Sequence, residues 1–355
     1  MHSLSDNSFS RLRSLVEIIS PAMQEGEMTS FLKQSWQSLV PSAHPYIDAV
    51  GNLEFAVIRH DSYPTLAIAA HSDSICVQIT RADGTGKYRF RSIGCSPHML
   101  LGQKVLIINE KGEKYDAVIG FDATSQFGQP KGLVFEDLWI DLINPDHQDR
   151  VSPGDLVVLV PQLNKDGNYI SGTSLDDRLG LFIVDEILRW YASTDMPLNL
   201  ICIATVQEEV GLRGSLAFDF HHRPDFVLVV DVDYATDIPT PHEDQMGRLY
   251  PGKGPGLLRK ADNSQLLRNF IKNVASSNNI PLQVSLGRFL YGGTDCTSFQ
   301  TLRDVKGYHI ANITIPLRYM HSPVEIASLS DVSYAIILIK EVMKEMAKTS
   351  SSALS

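Results

Sequence analysis

Apolar residues near the start of the chain recur with helical spacing. Phe9, Leu12, Leu15, Val16 and Ile19 fall three or four apart, predicting a helix over residues 8–19 that Pro21 ends. Met28, Phe31, Leu32 and Trp36 mark one face of a second helix over 27–39. The period then shortens: AVGNLEFAVIR, turning at Gly51–Asn52, and TLAIAAHSD both read as strands. Over residues 75–163 six short alternating runs follow, CVQIT, YRFRSI, KVLIINE, DAVIGF, LWIDLI and DLVVLV. Gly, Pro and Asp turns separate them and no long helix intervenes, so this stretch predicts a small β-barrel or sandwich. After Asn168 strands and helices alternate. RLGLFIVDEILRWYA is a helix apolar enough to be nearly all buried, while LNLICIATV, FVLVVDVDY, LQVSL and YHIANITIPL read as strands. Helices are predicted over 263–274 and 295–302, SDVSYAIILIKEVMKEMAK closes the fold, and the tail TSSSALS reads as disordered. The expectation is an α/β domain, residues 1–74 and 164–355, with a mixed sheet covered by helices on both faces, interrupted by a β-domain at 75–163.

Composition narrows the function. A chain of 355 residues with 43% hydrophobic and 20% charged residues has the material for a large core and reads as globular. Its net charge of −10 argues against a nucleic-acid partner and suits cationic ligands. Cys76, Cys95, Cys202 and Cys296 are too far apart to form a CxxC pair, which argues against a zinc ribbon and for a reduced, intracellular protein. The N-terminus lacks the apolar core of a signal peptide, and no run approaches the ~20 residues needed to span a bilayer. The expected location is therefore the cytoplasm, with no membrane partner.

Against that background the acids and histidines at strand ends stand out. Glu208 and Glu209 follow the LNLICIATV strand; two adjacent acids there repel each other unless a cation compensates, although a helix N-terminus would also accept them. His71 and Asp73 share one face at the end of TLAIAAHSD, so Asp73 can orient His71. Asp176 and Asp177 precede a buried helix, as caps or as acids facing a cleft. Asp231 lies where VLVVDVDY leaves the sheet, with Asp233 and Asp237 behind it; making a turn is the alternative role for one of these acids. His321 follows a strand within YMHSPVE. His221, His222, His242 and His309 lack partners of suitable spacing and are assigned structural or surface roles. Open α/β sheets place ligand sites beyond the carboxyl ends of their strands. Two histidines and three carboxylates suit a pair of Zn²⁺ or Co²⁺ ions, with one acid shared between them.

Taken in order, HSD, LDDR, QEEVG, VDVD and YMHSPVE resemble the co-catalytic metallopeptidases. The β-insert falls between Asp73 and Asp176. Together with GNL at 51–53, MLLGQKV at 99–105, PGD at 153–155, GKGPGL at 252–257, GGTD at 292–295 and HSPVE at 321–325, it resembles the glutamyl-aminopeptidase family, which includes the tetrahedral (TET) aminopeptidases and the so-called M-type cellulases. The resemblance implies the co-catalytic zinc peptidase fold and two divalent ions per subunit, Zn²⁺ or Co²⁺. In it Asp176 bridges the ions, His71 and Asp231 complete one site, and Glu209 and His321 complete the other. It also implies Glu208 as general base, with Asp73 orienting His71. The insert would mediate oligomerisation and access, giving dimers and a possible tetrahedral dodecamer. Two departures accompany it: Cys76 stands where the family has glycine, and YATDIPTP after Asp231 is altered. The implied function is an aminopeptidase acting on short peptides. A glycoside hydrolase fits less well, since it needs carboxylates ~5–9.5 Å apart across a sugar and leaves two histidines unused. A non-catalytic scaffold would be favoured by loss of Glu208 or of a ligand, and neither is lost.

Overall fold

Four parallel strands form the centre of the molecule, in the order Asn199–Thr205, Thr65–His71, Phe226–Tyr234 and His309–Arg318. The structure is a computed structural model that describes residues 4–122, 132–239, 243–288, 293–301 and 308–348. Nearly every position of the four strands is buried, because helices cover both faces of the sheet. Their sequences are therefore continuous apolar runs without alternation. Antiparallel strands extend the sheet on both sides: Leu53–Val57 and His44–Ile47 beyond Asn199–Thr205, and Glu325–Ser328, Tyr169–Gly172 and Leu163–Asp166 beyond His309–Arg318. Two short strands, Gly256–Leu258 and Gln283–Ser285, attach beside the last parallel strand.

The two faces of the sheet differ in depth. Leu66, Ile68 and Ala70 point into the larger core, formed with the helices Asp6–Glu17, Gly26–Leu39, Leu175–Ala192, Gln265–Ser277 and Leu329–Lys348. Ala67 and Ala69 point the other way, where their small side chains pack with Phe218, Cys296 and Phe299 from the short helices Arg213–Ala217 and Asp295–Thr301 and their flanks. Those short helices stand close to the strand ends that carry the acids.

The inserted stretch closes into a six-stranded barrel in the order Cys76–Ala82, Lys87–Ile93, Leu138–Leu142, Lys114–Phe121, Lys104–Ile108 and Leu156–Leu159. Ile79, Val105, Ile107, Ile119 and Ile140 fill its own separate core. Each of the six alternating runs is a strand, and the closed form is the barrel. The hairpin Leu163–Asp166 with Tyr169–Gly172 carries too polar a sequence (LNKD, YISG) to signal itself, yet it pairs with the main sheet. Cys76 is buried with Ile19, Ile108, Leu156 and Val158, a small core joining the barrel to the α/β part. All four cysteines are free thiols. Among the described residues no helix is long and apolar enough to cross a membrane. Leu302, His242, Gly292 and the tail TSSSALS, each part of a reading above, lie outside the described residues.

Candidate metal centre

Parallel register sets residues of neighbouring central strands level with one another. Thr205 pairs with His71, and the strand carrying Asp231 pairs alongside through Ala69 and Val229. The loop after Thr205 then delivers Glu208 and Glu209, the loop after Arg318 delivers His321, and the start of the Leu175–Ala192 helix delivers Asp176. His71, Asp176, Glu208, Glu209, Asp231 and His321 consequently line one cleft. Asp73 lies behind it with no exposed surface.

Asp176 occupies the middle. Its Oδ1 lies 2.9 Å from His71 Nε2, and its Oδ2 lies 3.2 Å from His321 Nε2. The same His321 nitrogen is 3.3 Å from Glu209 Oε2. Donor atoms of His71, Asp176 and Glu209 fall within 4.8 Å of one another, as do those of His71, Asp177 and Asp231. The peptide bond joining Asp176 to Asp177 is cis, and both residues depart from helical dihedrals.

Buried groups behind the cleft hold these side chains. Asp73 Oδ1 is 3.4 Å from His71 Nδ1, so Asp73 faces the nitrogen that points away from the cleft. Its two oxygens also accept the Glu208 and Glu209 backbone N–H groups at 3.0 and 2.9 Å. Glu325 accepts the N–H of His321 at 2.9 Å and that of Asp176 at 3.3 Å, tying two candidate ligands to one carboxylate. From the barrel, the Gly94 carbonyl lies 3.1 Å from His321 Nδ1. Gly94 has φ +77°, and a Cβ there would stand 2.3 Å from Ile75 Cγ2, so only glycine lets this turn reach the histidine.

The electrostatics show a shortage of positive charge. Burial, reinforced by Glu209, Asp295 and Asp231, raises the Glu208 pKa well above the carboxylate range, and burial pushes Asp231 up to about 8. Burial also opposes a charge on His71 and His321. Hydrogen bonds donated by the rings to Asp176, with Asp73 accepting from His71 and Glu209 from His321, outweigh it, raising His71 and carrying His321 to about 12. Burial would lift Asp176 too, but the two histidines hold it below its usual range. Glu209 Oε1 and Asp177 Oδ2 are buried with no hydrogen-bond partner among the described residues. Hard carboxylate oxygens and imidazole nitrogens, desolvated and short of cations, fit divalent ions.

A pH dependence follows for the chelated protein. Asp231 and Glu325 hold protons up to about 8 in the fold, against ordinary values of 3.8 and 4.5. The folded state binds the extra protons between those limits, so their stabilisation is full below ~4 and is lost as pH rises through about 8. Thermal denaturation after chelation should therefore show a midpoint that falls from pH 5 to pH 9. A bound ion would replace the protons and flatten the profile. A chelated protein whose midpoint is independent of pH would contradict this.

One position needs correcting. Asp231 does not lie where its strand leaves the sheet: the strand runs to Tyr234, pairing with Leu317, and Asp231 sits inside it opposite Thr314. The site still reaches it because the pairing with its other neighbour, Thr65–His71, stops at Ala69 opposite Val229. Asp233 accepts from the Ser285 hydroxyl and the Tyr234 N–H, and Asp237 pairs with Arg318. His222 contacts Glu54, His221 stacks on Tyr46, and His309 meets Ser264 and Phe226, all away from the cleft. Cys76 does not line the cleft. The sequence singled out no role for Glu325, present only within HSPVE, or for Gly94, and it offered Asp177 only alongside Asp176 as a cap or an acid facing a cleft.

A mixed sheet with acids and histidines gathered past its parallel strands, and a barrel inserted beside them, belongs to the metallopeptidase class. The model of the M42 glutamyl aminopeptidase family matches residues 51–338, and the chain belongs to that family. A lysyl aminopeptidase of Pyrococcus furiosus is 30% identical over 316 residues, which span 84% of this chain and 86% of that protein. An aminopeptidase from the archaeon Desulfurococcus kamchatkensis shares the fold at a TM-score of 0.88 with 25% identity, over 98% of this chain and 97% of that one. The Pyrococcus horikoshii TET1 peptidase, described as assembling into a tetrahedron or a large octahedral shell, gives a TM-score of 0.81 with 27% identity, over 95% and 99%. The chain is a metal-dependent aminopeptidase.

Proposed function

We propose that the enzyme removes N-terminal residues from short peptides with two divalent ions, Zn²⁺ or Co²⁺. His71 and Asp231 would hold one, Glu209 and His321 the other, and Asp176 both. The observation that carries this is the Asp176 carboxylate, which presents one oxygen to each histidine beside Glu208. When bound, the ions supply Lewis acidity toward the scissile carbonyl and the attacking water. Glu208, lining the cleft with its pKa raised, takes a proton from the water onto its carboxylate and passes it to the departing amine. Asp73 fixes the His71 ring and the backbone of both glutamates.

The lining of the cleft also includes Lys260 and Arg288, with Arg288 over the Tyr234 ring. Two cations there favour substrates that bring a carboxylate, so the preferred N-terminal residue is acidic. Hydrolysis of glutamyl-, leucyl- and lysyl-p-nitroanilide tests this. Glutamyl substrate should lead lysyl substrate in kcat/KM by at least about tenfold, ~1.4 kcal/mol; a lysyl preference would overturn it. N-acetylation of the glutamyl substrate should abolish cleavage.

Residues 75–163 are assigned as an inserted domain that oligomerises the enzyme and controls access, giving dimers and, by analogy with the tetrahedral assembly described for the Pyrococcus horikoshii peptidase, a dodecamer. A cytoplasmic location accords with the free thiols. A solved structure titled as an endoglucanase of Thermotoga maritima has this fold too, at a TM-score of 0.75 with 25% identity. Glycoside hydrolysis would leave His71 and His321 without a task, so the peptidase reading is preferred.

A further inference from the structure

Four successive amides lead from the end of the Asn199–Thr205 strand to the paired glutamates, and each donates to a side-chain oxygen. Val206 N–H donates to Asn52 Oδ1 at 3.0 Å and Gln207 N–H to Glu25 Oε1 at 3.1 Å. Glu208 and Glu209 donate to the two oxygens of Asp73. Asn52 and Asp73 belong to the sheet or its immediate ends. Glu25 comes from elsewhere, at the entry to the Gly26–Leu39 helix, and is only 6% exposed.

The same Glu25 Oε1 accepts the Met23 N–H at 2.9 Å. Met23 has φ +80° and Gln207 φ +57°, both in the left-handed region that strains residues with a side chain. One carboxylate oxygen thus joins two strained turns from segments far apart in sequence. Glu25 is not among the residues lining the cleft, so it does not meet substrate there.

We propose that Glu25 is a positioning residue for Glu208. It takes up the Gln207 amide, keeps that residue left-handed, and so sets the direction in which the chain presents the next side chain. This rests on Glu208 as general base. Without an acceptor at position 25 the part-buried Gln207 amide would lose its partner, the turn would relax, and the Glu208 carboxylate would shift from the reacting atoms. A displacement of ~1 Å is enough to cost ~10²-fold in rate. The role needs an acceptor oxygen and not a charge, so glutamine should serve.

The test compares kcat, KM and bound metal of the holoenzyme for the native protein, Glu25→Ala, Glu25→Gln and Met23→Gly. Glu25→Ala should lose about 10²-fold in kcat while KM and metal content stay near native. Glu25→Gln should retain nearly native kcat. Met23→Gly, which relieves only the other turn, should leave kcat unchanged. Where the alanine variant is unstable, Glu25→Met fills the space without an acceptor and should show the same loss of kcat. Native kcat in Glu25→Ala or Glu25→Met would overturn the proposal, and so would a Glu25→Gln enzyme as impaired as these. A Glu208→Gln enzyme with native kcat would instead remove the reading on which the proposal rests.

Discussion

Replacing Glu208 by glutamine should lower kcat by about 10²–10⁴-fold and leave the metal content unchanged. The reasoning is geometric first. The Glu208 and Glu209 amides donate to Asp73, so the backbone under the side chain is set by groups the substitution leaves in place. Glutamine keeps the shape and one acceptor oxygen but cannot take up a proton. Glu208 is also an acid whose burial, reinforced by Glu209, Asp295 and Asp231, raises its pKa well above the ordinary carboxylate value, which favours its holding a proton. KM should change little, since the lost interaction belongs to the transition state. Steady-state kinetics with elemental analysis of the same sample checks the expectation. A variant within a few-fold of native kcat would assign proton transfer to another group.

The second large effect is expected at Asp176. Replacing it by alanine removes both the oxygen facing His71 and the oxygen facing His321, so on the proposed assignment neither ion would keep its shared ligand. Bound metal should fall from two ions per chain to one or none. Loss of Lewis-acid assistance worth several kcal/mol corresponds to ~10³-fold or more in kcat/KM. Asp177→Asn is the necessary comparison, because Asp177 also lies within ligand reach of His71 and Asp231. Asp177 Oδ1 already accepts the Gly180 N–H, so that variant should still hold two ions. Retention of two ions by Asp176→Ala, with loss in Asp177→Asn, would exchange the roles of the two aspartates.

Much of this site was legible in the sequence because of a rule about strands. His71, Glu209 and His321 each end or follow an apolar strand, and parallel strands set their residues level, so residues far apart in the chain meet in space. The barrel was legible for a similar reason: six alternating runs with turns between them leave few other closures. What escaped the sequence has a common cause. Glu25, Asn52 and Glu325 act by accepting backbone N–H groups of distant segments, and a backbone donor has no residue type to search for. Gly94 contributes a carbonyl from the barrel, and its glycine looks like any turn glycine until Ile75 is seen beside it. Asp231 sits inside its strand and not at its exit because the strand continues to Tyr234 along His309–Arg318, a pairing that a single sequence does not identify. Cys76 departs from the family residue, yet it packs in the joint between barrel and sheet and does not line the substrate cleft.

The most direct measurement of the central claim is a metal titration of the chelated enzyme, following release of the N-terminal residue from a free-amine glutamyl substrate. Activity should be absent after chelation, rise with added Zn²⁺ or Co²⁺, and level off at two ions per chain. Activity that survives complete chelation, or two tightly bound ions with no cleavage of any free-amine substrate, would contradict it.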